Sequence, residues 1–228
     1  MVSLLLLNGG VGSRFLADGP KQFVVINGVP ILVYALKAAD GVPEITQIVV
    51  NYPPGHANTV REIVRDYAIA TPVTYVEAGA SRQESGAKLL AAAKHDVVVI
   101  HESARPLVQA SEFSRLIASA HRNVGYMREI PFTVAPVDPE THRVTGSLDR
   151  TRLRNVQLPQ KFAGDDLRRG YEYALNEGRT YTEDATMCAD AGADVYFMDG
   201  SEYNIKVTTP GDMNIASLIV SRWVNDGE

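Results

Sequence analysis

The 228-residue sequence predicts an α/β fold, with a mostly parallel sheet flanked by helices and an inserted β-arm. Three observations lead there. Short apolar, β-branched runs alternate with longer stretches of helical spacing, the pattern of strands buried between helices. A glycine-rich segment follows the first apolar run directly. The alternation then breaks between Pro131 and Phe162, where Asp138-Pro139-Glu140-Thr141-His142 reads as a turn between two extended segments.

Taken in order, Val2 to Leu7 is a buried strand, and Ile31 to Ala39 has helical spacing. Gln47 to Asn51 is the next strand, Ala57 to Tyr67 a helix, and Val73 to Val76 a strand. Arg82 to Lys94 is helical, Val97 to His101 a strand, and Ser111 to Arg122 a helix, on whose polar spacing Arg115 and Arg122 read as solvated. Past the arm come helices over Asp165 to Asn176 and Glu183 to Ala191, then a strand over Val195 to Met198. Around Lys206 the β-branched residues suggest one more strand. A helix over Pro210 to Trp223 is announced by Thr209 as its cap, Pro210 at its first position and Asp212 three residues after the cap.

One core is expected for residues 1–228, with an arm at about 131–160; there is no repeat, linker or low-complexity tract. The 22 Lys and Arg against 27 Asp and Glu leave a net charge of −5, the wrong sign for a broad nucleic-acid-binding face. No apolar run approaches the roughly 20 residues a membrane span needs. The first seven residues lack a basic flank and read as a strand, not a signal. One cysteine, Cys188, excludes an internal disulfide framework and fits a reducing compartment, so a cytoplasmic location is expected.

In a sheet of this kind ligands sit beyond the carboxyl ends of the strands. Three segments carry chemistry there. Asn8-Gly9-Gly10-Val11-Gly12-Ser13-Arg14, followed by Lys21, offers exposed backbone N–H groups and two cations suited to phosphate oxygens, although it matches neither the dinucleotide fingerprint nor the P-loop. A tight structural turn with solvated charges is the alternative. Lys206 stands among apolar residues, where an ammonium needs water or an anion; an edge-strand lysine is the alternative. His101-Glu102-Ser103-Ala104-Arg105-Pro106 delivers an acid to the sheet's edge, where one carboxylate can help hold a hard divalent cation; a Glu102–Arg105 surface ion pair is the alternative. The five histidines show no zinc spacing, Cys188 has no activating partner, and no serine sits in a G-x-S-x-G elbow.

Those segments, with Pro20 to Phe23, Gly28 to Leu32, Ser81 to Ser85, Pro159 to Phe162, Thr182 to Ala185 and Asn204 to Pro210, stand in the order and approximate spacing of the methylerythritol-phosphate cytidylyltransferase family. The chain resembles that family, whose relatives include ribitol-phosphate and phosphonate cytidylyltransferases, over nearly its whole length. The resemblance implies a GT-A-like nucleotidyltransferase fold, a homodimer whose arms reach over each other's active sites, and CTP, Mg²⁺ and a small phosphorylated or phosphonate acceptor as ligands. It assigns Asn8, Gly9, Gly10 and Gly12 to the nucleotide, with Arg82, Ser85, His101 and Ser103. It places Arg14, Lys21 and Lys206 around the triphosphate, Glu102 at the metal, and Arg105, Thr182 and the partner's Arg150 on the acceptor side.

The departures bear on the acceptor. The family's His-Asp-Ala-Ala-Arg-Pro reads His101-Glu102-Ser103-Ala104-Arg105-Pro106, and its Ala-Ala-Gly reads Asn8-Gly9-Gly10. The arm's Asp-Thr pair aligns with Val134-Ala135, and the threonine of Thr-Pro-Gln with Leu158. Lost hydroxyls remove hydrogen bonds a polyol would use, which points away from the isoprenoid substrate and towards a smaller or less hydroxylated acceptor, such as a phosphonate. The ordinary methylerythritol-phosphate enzyme and a catalytically silent nucleotide-binding module are the alternatives.

Overall fold

The structure is a computed structural model that describes residues 1–10 and 20–226, with only the backbone of Lys21 and of residues 224–226. Its centre is a seven-stranded sheet of β1 (Val2–Leu7), β4 (Ile45–Tyr52), β5 (Val73–Glu77), β6 (Val97–Glu102), β7 (Val124–Glu129), β8 (Arg154–Ala163) and β9 (Tyr196–Asp199), in the spatial order β5-β4-β1-β6-β8-β7-β9. A two-stranded ribbon, β2 (Val25–Ile26) and β3 (Val29–Pro30), stands apart. Strands β5, β4, β1 and β6 are parallel, and β7 is parallel to β9; only β8 runs against its neighbours.

Alternation along the strands sorts the core into two layers. Leu4, Leu6, Ile48, Val50 and Val99 face one side, where α1 (Ile31–Asp40), α2 (Ala57–Asp66) and α4 (Ala110–Ala118) supply Leu32, Leu36, Val60, Phe113 and Leu116. Leu5, Val49, Val98 and Ile100 face the other. There α3 (Arg82–Ala91), α5 (Gly164–Asn176) and α6 (Asp184–Asp190) supply Leu89, Leu167, Tyr171 and Met187. Because Leu4, Leu5 and Leu6 are all buried, β1 reads as a continuous apolar run, as a strand covered on both faces should. The last helix, α7 (Pro210–Asp226), packs Ala216 and Val220 against Ile26 and Ile31. No helix among the described residues is long and apolar enough to cross a membrane.

The helix starts follow their sequence signals. Ser81 Oγ accepts from the Glu84 backbone N–H at 3.0 Å and Glu84 accepts from that of Ala80 at 2.8 Å, fixing the entry to α3. The Asp212 carboxylate accepts from the backbone N–H and hydroxyl of both Thr208 and Thr209 at the start of α7.

Four expectations need correction. Residues 154–160, expected in the arm, belong to the sheet: β8 pairs with both β6 and β7, so the arm is the exposed hairpin that precedes it, tied by a Val137–Val144 bridge. Strand β7 has no expected counterpart; Gly125 interrupts its pattern, and a Cβ there would lie 2.7 Å from Gln160 Cγ across the ladder. The segment around Lys206 forms no strand; it is held by the Val207 N–H donating to Ala104 and by the Asn204 amide donating to the Leu158 carbonyl. Helix α4 ends at Ala118, so Arg122 lies beyond it, where it pairs with Asp165 and Asp166 instead of only meeting solvent.

Candidate active site

Where β1, β4 and β6 end, their chains open a cleft of about 460 Å³. Its floor comes from Leu7, Asn8, Gly9 and Gly10 after β1, from Asn51 of β4, and from Glu102 and Ser103 at the end of β6. Gly79, Ala80, Ser81, Arg82 and Ser85, at the start of α3, form one wall, and Lys206 reaches in from the far end of the chain. The register explains the convergence: Leu7 pairs with Glu102 and Leu6 with Val50, so residues just past these pairs share one edge. Gly9 must be glycine, since a Cβ would overlap that of Ala78.

Hydrogen bonds hold the glycine segment from beneath. The Asn8 N–H donates to Asn51 Oδ1, and the Gln22 amide donates to the Asn8 carbonyl at 2.7 Å. Ser103 Oγ lies 2.6 Å from Asn8 Oδ1 and 3.0 Å from the Leu7 carbonyl. Ser85 Oγ accepts from the Gly79 N–H at 3.0 Å, which couples α3 to the wall of the cleft.

The charges form two linked groups. Glu102 is buried, with one carboxylate oxygen 2.9 Å from Arg105 Nε and the other 2.6 Å from Lys206 Nζ. Burial works against its ionisation, but Lys206, Arg105 and, further off, Arg82 outweigh that and hold its pKa down at about 2. Arg82 pairs with buried Asp184 at 2.6 Å, and the Tyr171 hydroxyl donates to the other Asp184 oxygen at 2.9 Å. Burial disfavours the Arg82 charge too, yet Asp184 and Glu102 raise its pKa above the ordinary value. The Arg82 guanidinium therefore stays charged at neutral pH.

The cleft thus gathers Asn8, Gly9, Gly10, Arg82, Ser85, Glu102, Ser103 and Lys206 of the expected residues. Gly12 and Arg14 lie outside the described residues, as does the side chain of Lys21, whose backbone opens a short 3-10 turn over Lys21–Phe23. His101 does not line the cleft. It is fully buried against Phe113, where burial lowers its pKa to about 4, and its neutral ring donates from Nε2 to the Arg105 carbonyl at 3.1 Å. Arg105 likewise supports the loop: its guanidinium is shared between Glu102 and the Asn204 carbonyl at 2.9 Å. The Glu102–Arg105 pair is buried, not a surface contact. Thr182 is exposed and outside the cleft; Asp184, two residues on, is the group that engages it through Arg82. Arg150 stands on the arm, donating to the Pro131 carbonyl at 3.0 Å. Asn51, Gln22 and Asp184 have no signal in the sequence beyond their neighbourhood. A second cavity, about 410 Å³ around Lys94, His95, Arg122 and Arg168, contains none of the expected residues.

Among the described residues no three His, Cys, Asp or Glu side chains could jointly hold a metal. Among the described residues Glu102 alone offers a carboxylate in the cleft, and two donors occupy only part of its capacity of about four lone-pair sites. That suits a divalent ion that keeps waters and takes other ligands from substrate phosphates.

The family model for 2-C-methyl-D-erythritol 4-phosphate cytidylyltransferase matches residues 2–222. The chain belongs to this family. It is a cytidylyltransferase, and hence a nucleotidyltransferase. It is 31% identical to the 2-C-methyl-D-erythritol 4-phosphate cytidylyltransferase of Acidobacterium capsulatum, over 95% of this chain and 96% of that one. It is also 32% identical to the ribitol-5-phosphate cytidylyltransferase of Lacticaseibacillus paracasei, over 93% and 95%. Among solved structures, the 2-C-methyl-D-erythritol 4-phosphate cytidylyltransferase of Thermus thermophilus superposes with a TM-score of 0.77 at 27% identity, covering 95% of this chain and 97% of that one. The 4-diphosphocytidyl-2C-methyl-D-erythritol synthase of Anaerococcus prevotii shares the fold at 0.83 and 22% identity, covering 96% of each chain. The expected nucleotidyltransferase α/β fold is therefore the one this cytidylyltransferase has.

Proposed function

We propose that this cytidylyltransferase moves the CMP group of CTP to a small phosphonate or polyol-phosphate acceptor. An acceptor oxyanion forms a bond to the α-phosphorus, the bond from that phosphorus to the bridging oxygen breaks, and pyrophosphate leaves with the electron pair. The observation that carries this reading is the position of Lys206: its ammonium is held by Glu102 at 2.6 Å beside the glycine segment, in the cleft that Arg82 also lines. Phosphoryl-group transfer of this type needs positioning and charge neutralisation more than covalent chemistry, and fixed cations supply both.

In this reading Asn8, Gly9, Gly10, Gly12, Ser85 and Ser103 hold the nucleoside, and Arg82 stays charged at its edge through Asp184. Arg14, Lys21 and Lys206 neutralise the triphosphate and the developing pyrophosphate. Glu102 holds Mg²⁺ with Lys206 as its neighbour; when bound, the ion neutralises phosphate oxygens. His101 and Arg105 keep the Glu102 loop in place. The exposed arm, with Phe132, Val137, Val144 and Leu148 open to solvent, would pack on a second copy in a homodimer and bring Arg150 to the acceptor, with Thr182 at the rim.

For the acceptor, the lost threonine at Leu158 supports something other than methylerythritol phosphate: Leu158 is buried in the apolar layer beneath α5 and offers no hydroxyl. The standard methylerythritol-phosphate reading is supported by the family's own description and by most of the similar relatives. Pyrophosphate release from CTP and Mg²⁺ with methylerythritol phosphate, ribitol 5-phosphate and a hydroxyalkyl phosphonate separates them. Turnover strongest with methylerythritol phosphate overturns the proposed acceptor class; no turnover with any of them overturns the reaction.

A further inference from the structure

Two carboxamides under the glycine segment have work left to do. Asn51 is fully buried at the end of β4, and its orientation is fixed, because its oxygen accepts from the Asn8 N–H and a backbone N–H can only donate. Its NH₂ group is therefore the free end, and that nitrogen has no hydrogen-bond partner among the described residues. That nitrogen is buried, 3.0 Å from the point where a side chain on Gly9 would begin, so any residue but glycine there would crowd it. The Asn8 amide nitrogen, also buried, has no partner there either. Both residues line the cleft. Buried N–H groups are seldom left unmet, and a pair of them on the floor of a binding cleft calls for a ligand edge that carries acceptors.

The surroundings narrow that edge. Leu7, Pro54, Ala78 and Ala80 give the same cleft apolar walls, which suit a flat ring. Resting on the cytidylyltransferase reading, we infer that Asn51, with Asn8 beside it, is the side chain that selects the base, by donating to the O2/N3 acceptor edge of cytosine. Cytosine presents two adjacent acceptors there. Uracil presents an N–H at N3, which would face a donor and leave both unpaired, so the same group that favours CTP disfavours UTP. Asn51 is the fixed reader. Asn8 is the adjustable one, because the single Ser103 hydroxyl proton goes either to Asn8 or to the Leu7 carbonyl.

The test uses the full-length enzyme, its best acceptor from the panel above, and CTP, UTP and 3-deaza-CTP, in which N3 is replaced by C–H. Asn51→Ala should raise the KM for CTP by on the order of tenfold with kcat nearly unchanged. It should also shrink the CTP preference over UTP and over 3-deaza-CTP to within a few-fold. Asn51→Asp, which keeps the oxygen that receives the Asn8 N–H and loses the donor, should lose the preference as well. The preference is a ratio and does not depend on how much enzyme is folded, so it stays readable if either variant is unstable. An unchanged preference in both variants overturns the assignment while leaving the reaction standing. Wild-type enzyme that turns over no CTP with any acceptor removes the reaction and this inference together.

Discussion

The link between Arg82 and Asp184 makes a prediction whose size follows from its geometry. The two groups meet at 2.6 Å, with the Asp184 side chain 2% exposed and that of Arg82 26% exposed. Two unit charges about 4 Å apart at an effective dielectric of about 20 attract by about 4 kcal/mol. Desolvation of Asp184 and the partial solvent contact of Arg82 take back a share, while a fully exposed pair would retain only about 0–1 kcal/mol. The expected net coupling is about 2 kcal/mol. A double-mutant cycle of Arg82→Ala, Asp184→Ala and the combination, read by urea unfolding at pH 7, measures it. The Tyr171 hydroxyl loses its acceptor in both Asp184 variants, so its share cancels. Asp184→Ala alone should also raise the KM for CTP by roughly tenfold, since Arg82 loses the group that aims it into the cleft. A coupling below about 0.5 kcal/mol, within the scatter of independent sites, would refute the claim that Asp184 holds Arg82 in place.

Three further outcomes are expected. Lys206→Met should lower kcat by about a hundredfold, because the lysine acts on the substrate's charge, and should also lower the melting temperature, because buried Glu102 keeps only Arg105 as a close partner; steady-state kinetics and calorimetry check it, and an unchanged kcat would count against the role. Gly86→Ala should cost about 1–3 kcal/mol in urea unfolding, since its Cβ would overlap the Tyr171 hydroxyl and push that ring off Asp184; unchanged stability would show that the ring moves freely. Asp166 is buried, which opposes its charge, but hydrogen bonds from Asn123 and Arg122 and the nearby Arg169 hold its carboxyl below the ordinary 3.8. Its contribution to stability is thus complete above about pH 4 and lost as the pH falls below that, so the gap between wild type and Asp166→Asn should close on acidification; a gap constant from pH 6 to pH 2.5 would count against it.

Much of this architecture is legible in the residues, and the reasons differ by element. Strands β1, β4 and β6 are apolar on both faces, so their position shows in composition alone, and the glycine segment directly after β1 marks the sheet edge where the cleft lies. Strands β7 and β8 do not show. Gly125 breaks one pattern, and Gln157, Gln160 and Lys161 give the other the look of surface chain, although all three are buried and bonded to groups far away in sequence, such as Lys161 Nζ to the Ser119 carbonyl at 2.6 Å. The charged members of the site carry their own chemistry and stand out. Asn51 and Asp184 do not, because their roles exist only through tertiary neighbours: an N–H from the adjacent strand for one, a guanidinium about a hundred positions earlier for the other. Lys206 is visible as an anomaly, but its cause, a counter-ion on β6, is not.

The single reversed strand has a consequence of its own. Since β7 and β8 pair as a hairpin closed by Glu129 opposite Arg154, the arm is merely the loop of that hairpin, and it springs from the same sheet edge as the cleft. Lengthening a loop whose base is already zipped costs only about 0.6 kcal/mol per doubling. The arm can therefore change in length while the sheet and the cleft at its edge stay as they are.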